Sequence, residues 1–269
     1  MKDQRSWVAL VTGASRKVGI GAAIARELAG DGADVFVTYF RPYDHESGLA
    51  GDADEPERLL AELRALGCRA DGLELDLSDP EAPKELFDAV EKSLGVVSVL
   101  VNNATYSMRD SIETLDAAGL DKHYAINLRA MALLCAEFVR RYKNENKNQN
   151  QDQKSMPKEA YGRIINLTSG QSLGAMPDEL AYVATKGAVE AFTSSLSTAV
   201  APLGITVNAV DPGITDTGWI APDLKAKWSA QSPMGRVGTP QDAARLIRFL
   251  ASAEAKWITG QIIHSRGGL

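Results

Sequence analysis

Short apolar runs rich in β-branched residues alternate along the whole chain with longer stretches whose apolar positions recur at helical spacing. The runs at 7–11, 35–39, 71–75, 97–101, 163–167, 206–210 and 261–264 predict seven strands. Helical patterns fall between them at 21–29, 57–66, 80–94, 121–142, 181–203 and 240–250. Strands covered on both faces by intervening helices are what a parallel sheet requires. Right-handed crossovers then make an α/β fold: a single-domain, Rossmann-type, doubly wound parallel sheet spanning 1–269.

Two segments break this rhythm. Residues 40–56 are rich in Asp, Glu, Gly and Pro and predict a long loop after the second strand. Residues 143–158 contain a polar run of Asn, Gln, Glu, Lys and Asp that has little apolar surface to bury, and they predict a mobile insertion.

Composition narrows the function classes. The chain has 269 residues, 45% hydrophobic and 24% charged, with a net charge of −6. Such a field opposes nucleic acid and anionic membranes as partners. Cys68 and Cys135 fit buried, reduced thiols and therefore the cytoplasm. The N-terminal residues lack the apolar stretch of a signal peptide, and no run reaches membrane-spanning length. His45, His123 and His264 lack ligand spacing, so no metal site is expected.

The candidate chemistry begins at the first strand. It runs into Thr12-Gly13-Ala14-Ser15-Arg16-Lys17-Val18-Gly19-Ile20-Gly21, and a helix follows at once. Glycines let a backbone turn sharply and approach a pyrophosphate, whose charge a helix N-terminus stabilises. Farther on, Tyr182 and Lys186 stand one helical turn apart and project from the same face. A nearby ammonium favours phenolate; lowering a tyrosine pKa by roughly 3 units takes about 4 kcal/mol. The spacing alone is common on ordinary helices, so its meaning depends on the residues around it.

Those residues resemble the short-chain dehydrogenase/reductase family. Gly13, Gly19 and Gly21 match its glycine motif, with five residues between the first two where the family has three. The longer loop is similar to that of enoyl-acyl-carrier-protein reductases, whereas the Tyr182–Lys186 spacing is not. The resemblance continues through Asp76, Asn102-Asn103-Ala104 (with Thr105 in place of a glycine), Asn127, Ser169 thirteen residues before Tyr182, and Asp211-Pro212-Gly213.

It implies an oxidoreductase that moves hydride between a nicotinamide and a carbonyl or alcohol, most like 3-oxoacyl-acyl-carrier-protein reductases. Implied catalytic residues are Asn127, Ser169, Tyr182 and Lys186, with Asn127 holding a water that leads to the lysine. Implied cofactor contacts are Gly13, Ser15, Arg16, Lys17, Gly19, Ile20, Gly21, Arg41, Asp76, Leu77, Asn103, Ala104, Tyr182, Lys186, Pro212, Gly213 and Thr217. The second strand ends Thr38-Tyr39-Phe40-Arg41 with no acid to accept from a ribose diol. Arg41, with Arg16 or Lys17, suits a 2′-phosphate, so NADP(H) is expected ahead of NAD(H).

Residues 214–234, with Trp219, Ile220, Leu224, Trp228 and Met234, are expected to form a substrate lid. Arg129 is read as an ordinary helix-face arginine or as a contact for an acidic carrier protein. The expected substrate is a 3-oxoacyl thioester or similar ketone, and the expected assembly a homotetramer or dimer. Alternatives are an NAD-linked alcohol or sugar dehydrogenase of the same family and a dinucleotide-binding sensor without turnover.

Overall fold

A computed structural model describes residues 7–149 and 162–268. Its core is one seven-stranded parallel sheet of β1 (Val8–Val11), β2 (Asp34–Tyr39), β3 (Ala70–Glu74), β4 (Val97–Asn102), β5 (Gly162–Leu167), β6 (Ile205–Asp211) and β7 (Ile262–His264). The spatial order is β3-β2-β1-β4-β5-β6-β7, so the winding direction reverses between β1 and β4. A crevice opens at the carboxyl ends of the strands at such a reversal, and ligands of open α/β sheets bind there. Val11 pairs with Val37 on one side and Val101 on the other, which brings the three strand ends level.

Alternating residues of the same strands build two cores. Ala9 and Val11 face one layer, with α1 (Ile20–Gly30), α3 (Glu55–Ala65) and α9 (Pro240–Ala251); Val8 and Leu10 face the other, with α4 (Ala82–Ser93), α6 (Met131–Gln149) and α7 (Leu180–Val200). This two-sided burial is why the strands read as continuous apolar runs. No helix among the described residues is long and apolar enough to cross a membrane.

Expected elements differ from the observed ones mainly where tertiary contacts decide. A short helix, α2 (Arg41–Glu46), occupies the start of the expected 40–56 loop. Pro42 sets the helical backbone angle, and the Tyr43 hydroxyl accepts from Ser107 N at 3.1 Å, so the turn is held by a distant loop rather than by periodicity. A helix predicted over 121–142 instead starts with α5 (Ala117–His123), passes through a π-helical turn at Tyr124–Ala130 and continues as α6 to Gln149. The first part of the polar tract, 143–149, thus prolongs a helix instead of leaving it. Residues 150–158 of that tract lie outside the described residues. One more helix, α8 (Pro222–Gln231), lies in the expected lid and buries none of its side chains fully.

Candidate active site

Gly13 leaves β1 at φ +75°, where a side chain is strained, and a Cβ there would stand 2.7 Å from the Ala104 Cα. A Cβ on Gly21 would strike the Gly13 carbonyl and come within 2.7 Å of Asn103 Nδ2. The loop is therefore a tight cradle that only glycine can build. Thr12 and Asn103 fix it: Asn103 Nδ2 donates to the Thr12 and Gly13 carbonyls at 2.8 and 2.9 Å, and Ala104 N donates to Thr12 Oγ1 at 3.0 Å. Helix α1 starts from Gly19 with no side-chain cap and no acid in its first turn. Its free N–H groups and positive dipole end suit a pyrophosphate, so the residues present fit a dinucleotide.

A cleft extends from this cradle along the ends of β1, β2, β3 and β4. Its walls include Gly13, Ser15, Arg16, Gly19, Ile20, Gly21, Asp76, Leu77, Asn103, Ala104 and Thr217, all expected cofactor contacts. Lys17, Arg41, Tyr182, Lys186, Pro212 and Gly213, also expected as cofactor contacts, are not among its wall residues. The Lys17 ammonium pairs with Glu62 at 2.5 Å, and the Arg41 guanidinium donates to the Asp52 and Gly51 carbonyls at 2.8 and 3.3 Å. Of the three cations expected to meet a 2′-phosphate, only Arg16 is in the cleft wall. Its Nη1 donates to the Thr217 carbonyl at 2.9 Å, and its Nε stands 3.7 Å from Asp44 Oδ1.

Asp44 and Tyr43 were missed by sequence reasoning, because both fell in a segment read as loop. Helix α2 turns them into the cleft. The Asp44 carboxyl is buried, which raises its pKa, while a hydrogen bond from Ser15 and the charge of Arg16 act the other way. The only sequence hint was Pro42 following the strand end, a helix-start signal.

Three further elements meet one another around α7. Ser169 follows β5; Tyr182 and Lys186 lie in the first turns of α7; Asn127 sits in the middle of the π-helical turn. Helix α7 has no side-chain cap of its own. Asp110, from the loop after β4, caps it instead, accepting from Leu180 N and from Ala181 N at 2.9 Å. This places Tyr182 just inside a fixed helix end.

The Lys186 ammonium is buried, donates to the Leu167 carbonyl at 2.9 Å and stands 5.5 Å from the Tyr182 ring centroid. Burial lowers its pKa to about 8. The Tyr182 phenol moves the opposite way from the expected lowering. Burial raises its pKa, a hydrogen bond with Ser169 lowers it, and the charges of Glu179, Tyr43 and Asp211 raise it further. The lysine's hydrogen bond goes to a backbone carbonyl rather than to the phenol, so its charge does not offset that desolvation.

Asn127 uses its whole side-chain amide within the protein. Oδ1 accepts from Tyr106 N at 2.7 Å and Thr105 Oγ1 at 3.0 Å, while Nδ2 donates to the Tyr106 carbonyl at 2.9 Å and Thr185 Oγ1 at 3.1 Å. The side chain therefore clamps the loop after β4 to α7 and has no valence left for a water. Thr105, which replaces a glycine, is part of that clamp. Arg129 donates to the Ser78 carbonyl and is tied to the turn before α4.

Pro212 and Gly213 follow β6, and Gly213 lies under the side chain of Arg266. In the 214–234 segment Trp219 Nε1 donates to the Thr215 carbonyl at 2.9 Å, and Trp219 packs on Trp228 at 5.7 Å between ring centroids. Ile220 is buried, and Met234 is exposed.

A family model described as enoyl-(acyl carrier protein) reductase matches residues 13–269. The chain is similar to an uncharacterized oxidoreductase, YjdA, of Bacillus subtilis, with 47% identity over 268 residues covering 100% of this chain and 98% of the relative. It is 36% identical over 266 residues to the 3-oxoacyl-[acyl-carrier-protein] reductase FabG of Staphylococcus epidermidis, covering 97% and 98% of the two chains. Its structure is similar to that of a short chain dehydrogenase from Burkholderia cenocepacia in complex with NADP, with a TM-score of 0.81, 30% identity and 99% of each chain covered.

Proposed function

Because this chain belongs to the short-chain dehydrogenase/reductase family and is an oxidoreductase, we propose that it is an NADP(H)-dependent reductase of ketones, its substrate a 3-oxoacyl thioester or a compound of similar shape. The observation that carries this reading is the convergence of Ser169, Tyr182 and Lys186 together with a glycine cradle that no other residue type can build. The dinucleotide, when bound, supplies the hydride.

The chain's own groups do the rest. The α1 N-terminus and Gly13, Gly19 and Gly21 would hold the diphosphate, Asp76 and Leu77 the adenine, and Arg16 a phosphate at the ribose 2′ position. The Ser169 hydroxyl donates to the substrate oxygen as negative charge grows there. Tyr182 gives that oxygen its proton as the alkoxide forms. Lys186 would hold the nicotinamide ribose, its ammonium 5.5 Å from the Tyr182 ring centroid. Asn127 keeps these elements in register, and the 214–234 segment closes over the substrate and excludes water. A homotetramer belongs to the same reading, and mass measurement in solution tests it.

One observation favours a second cofactor. Asp44 places in the cleft the carboxylate that the strand end lacks, and a carboxylate there suits the ribose diol of NAD(H). A screen of ketones, 3-oxoacyl thioesters and sugars against NADPH and NADH, followed by loss of nicotinamide absorbance, tests both readings. Turnover of ketones with NADPH at least tenfold more efficient than with NADH is expected. No turnover of any carbonyl with either cofactor would overturn the assignment.

A further inference from the structure

Asp211 closes β6 with its side chain 1% exposed. Three donors meet its carboxylate: Gly213 N on Oδ1 at 2.9 Å, and His264 Nδ1 and Arg266 Nη1 on Oδ2 at 2.9 and 3.0 Å. β7 makes this possible because it pairs Asp211 with His264 in register, so the chain leaving β7 passes over the end of β6. The Arg266 guanidinium then lies against Gly170, the residue after Ser169, with Nη1 nearest. A Cβ on Gly170 would collide with Arg266 Nη1, and one on Gly213 would come within 3.0 Å of the Arg266 Cγ. Both glycines make room for this one side chain.

We propose that Arg266, held by Asp211, is a positioning residue for carbonyl reduction: it braces the turn that carries Ser169 and balances the Asp211 carboxylate at the end of β6. This rests on the reading of Ser169 and Tyr182 as the groups that act on the carbonyl.

The turn has backbone and side-chain bonds of its own: Thr168 N donates to the Val210 carbonyl at 2.9 Å, the Gly170 carbonyl accepts from Leu173 N at 3.0 Å, and Gln171 Nε2 donates to Glu190 at 2.6 Å. Arg266 adds a side-chain contact at Gly170, next to Ser169. Ser169 hydrogen-bonds the Tyr182 hydroxyl and the Lys186 ammonium stands 5.5 Å from its ring centroid, while the charges of Glu179, Tyr43 and Asp211 all favour the protonated phenol. Arg266 offsets the Asp211 carboxylate, on the same oxygen that accepts from His264 Nδ1. The following residues extend the device to the lid, since Gly267 packs on Met234 and Gly268 on Pro233.

The two partners of one ion pair must then act on Tyr182 in opposite directions. Arg266→Gln leaves the carboxylate less neutralised, whereas Asp211→Asn removes it and keeps its shape. The experiment measures, on the full-length protein, the alkaline limb of the kcat–pH profile for ketone reduction with NADPH. In parallel, tyrosine-labelled protein without cofactor is titrated by NMR, with the Tyr182→Phe variant identifying the signal. Expected shifts are upward for Arg266→Gln and downward for Asp211→Asn, each by roughly half a pH unit or more. Arg266→Lys should stay near the parent.

Shifts of the same sign, no shift, or an Arg266→Lys variant that behaves like Arg266→Gln would overturn the proposal, because a purely structural pair fails alike from either side. If Arg266→Gln does not fold, the downward shift of Asp211→Asn against an unshifted Arg266→Lys decides it. Opposite shifts by NMR in a protein that reduces no carbonyl would support the coupling and sink the proposed function instead.

Discussion

The Lys186 ammonium donates to the Leu167 carbonyl at 2.9 Å, so the cation beside Tyr182 is fixed to the end of β5 and not to the phenol. A buried ammonium with one backbone acceptor is poorly solvated, which is why its pKa falls to about 8. In the unfolded chain a lysine titrates near its ordinary value of about 10.4. Between these two values the unfolded state binds more protons, so stability rises with pH over that window. Relative to Lys186→Met, the parent should therefore gain on the order of 2 kcal/mol between pH 8 and 10, as measured by urea unfolding. A flat difference would show that the lysine is charged and solvated in the folded protein.

Removing the phenolic hydroxyl should separate chemistry from binding. Tyr182→Phe is expected to lose roughly 10²- to 10⁴-fold in kcat, the usual worth of a positioned proton donor. Its dinucleotide affinity, followed by fluorescence titration, should stay within a few-fold, since the cradle is built by Gly13, Gly21 and Asn103. Near-normal turnover in this variant would remove Tyr182 from the reaction.

Cofactor choice turns on Arg16 and Asp44, 3.7 Å apart in the cleft wall. Arg16→Ala should weaken NADPH binding about tenfold or more with little effect on NADH, consistent with the loss of one charge-assisted contact. Asp44→Asn should tighten NADPH, because the remaining carboxylate repulsion toward a 2′-phosphate disappears. Calorimetry with both dinucleotides checks the pair; a larger loss for NADH than for NADPH in Asp44→Asn would favour the NAD reading.

Asp110 caps α7 from another part of the chain, and its loss should loosen the turn that carries Tyr182. Asp110→Ala is expected to cost about 1–2 kcal/mol in thermal or urea unfolding, as for other caps. A drop in kcat should accompany it. Asp110→Asn, which keeps one acceptor oxygen for the two N–H groups, should recover only part of both.

Much of this protein is legible along the chain because its determinants are local or periodic. The seven strands announce themselves as apolar runs, since helices cover both faces of the sheet, and their observed limits lie within a residue or two of those expected. Gly13, Gly21 and the Tyr182–Lys186 spacing stand out for the same reason: one backbone angle or one helical turn dictates the residue type. Other features have no local signature. Helix α2 is too short to show a period, and only its contacts with Ser107 and Ser15 bring Tyr43 and Asp44 into the cleft. Lys17 and Arg41 carried the right charge for a phosphate, but Glu62 and the 51–52 carbonyls claimed them first. Arg266 reaches Asp211 and Gly170 because β7 lies beside β6, a neighbour relation that sheet closure alone creates. The sequence by itself determined the fold class, through periodicity, and supplied the candidate catalytic residues, through the family resemblance. Tertiary structure decided which charges face the site, because charge is long-ranged and each ion takes the partner that folding brings nearest.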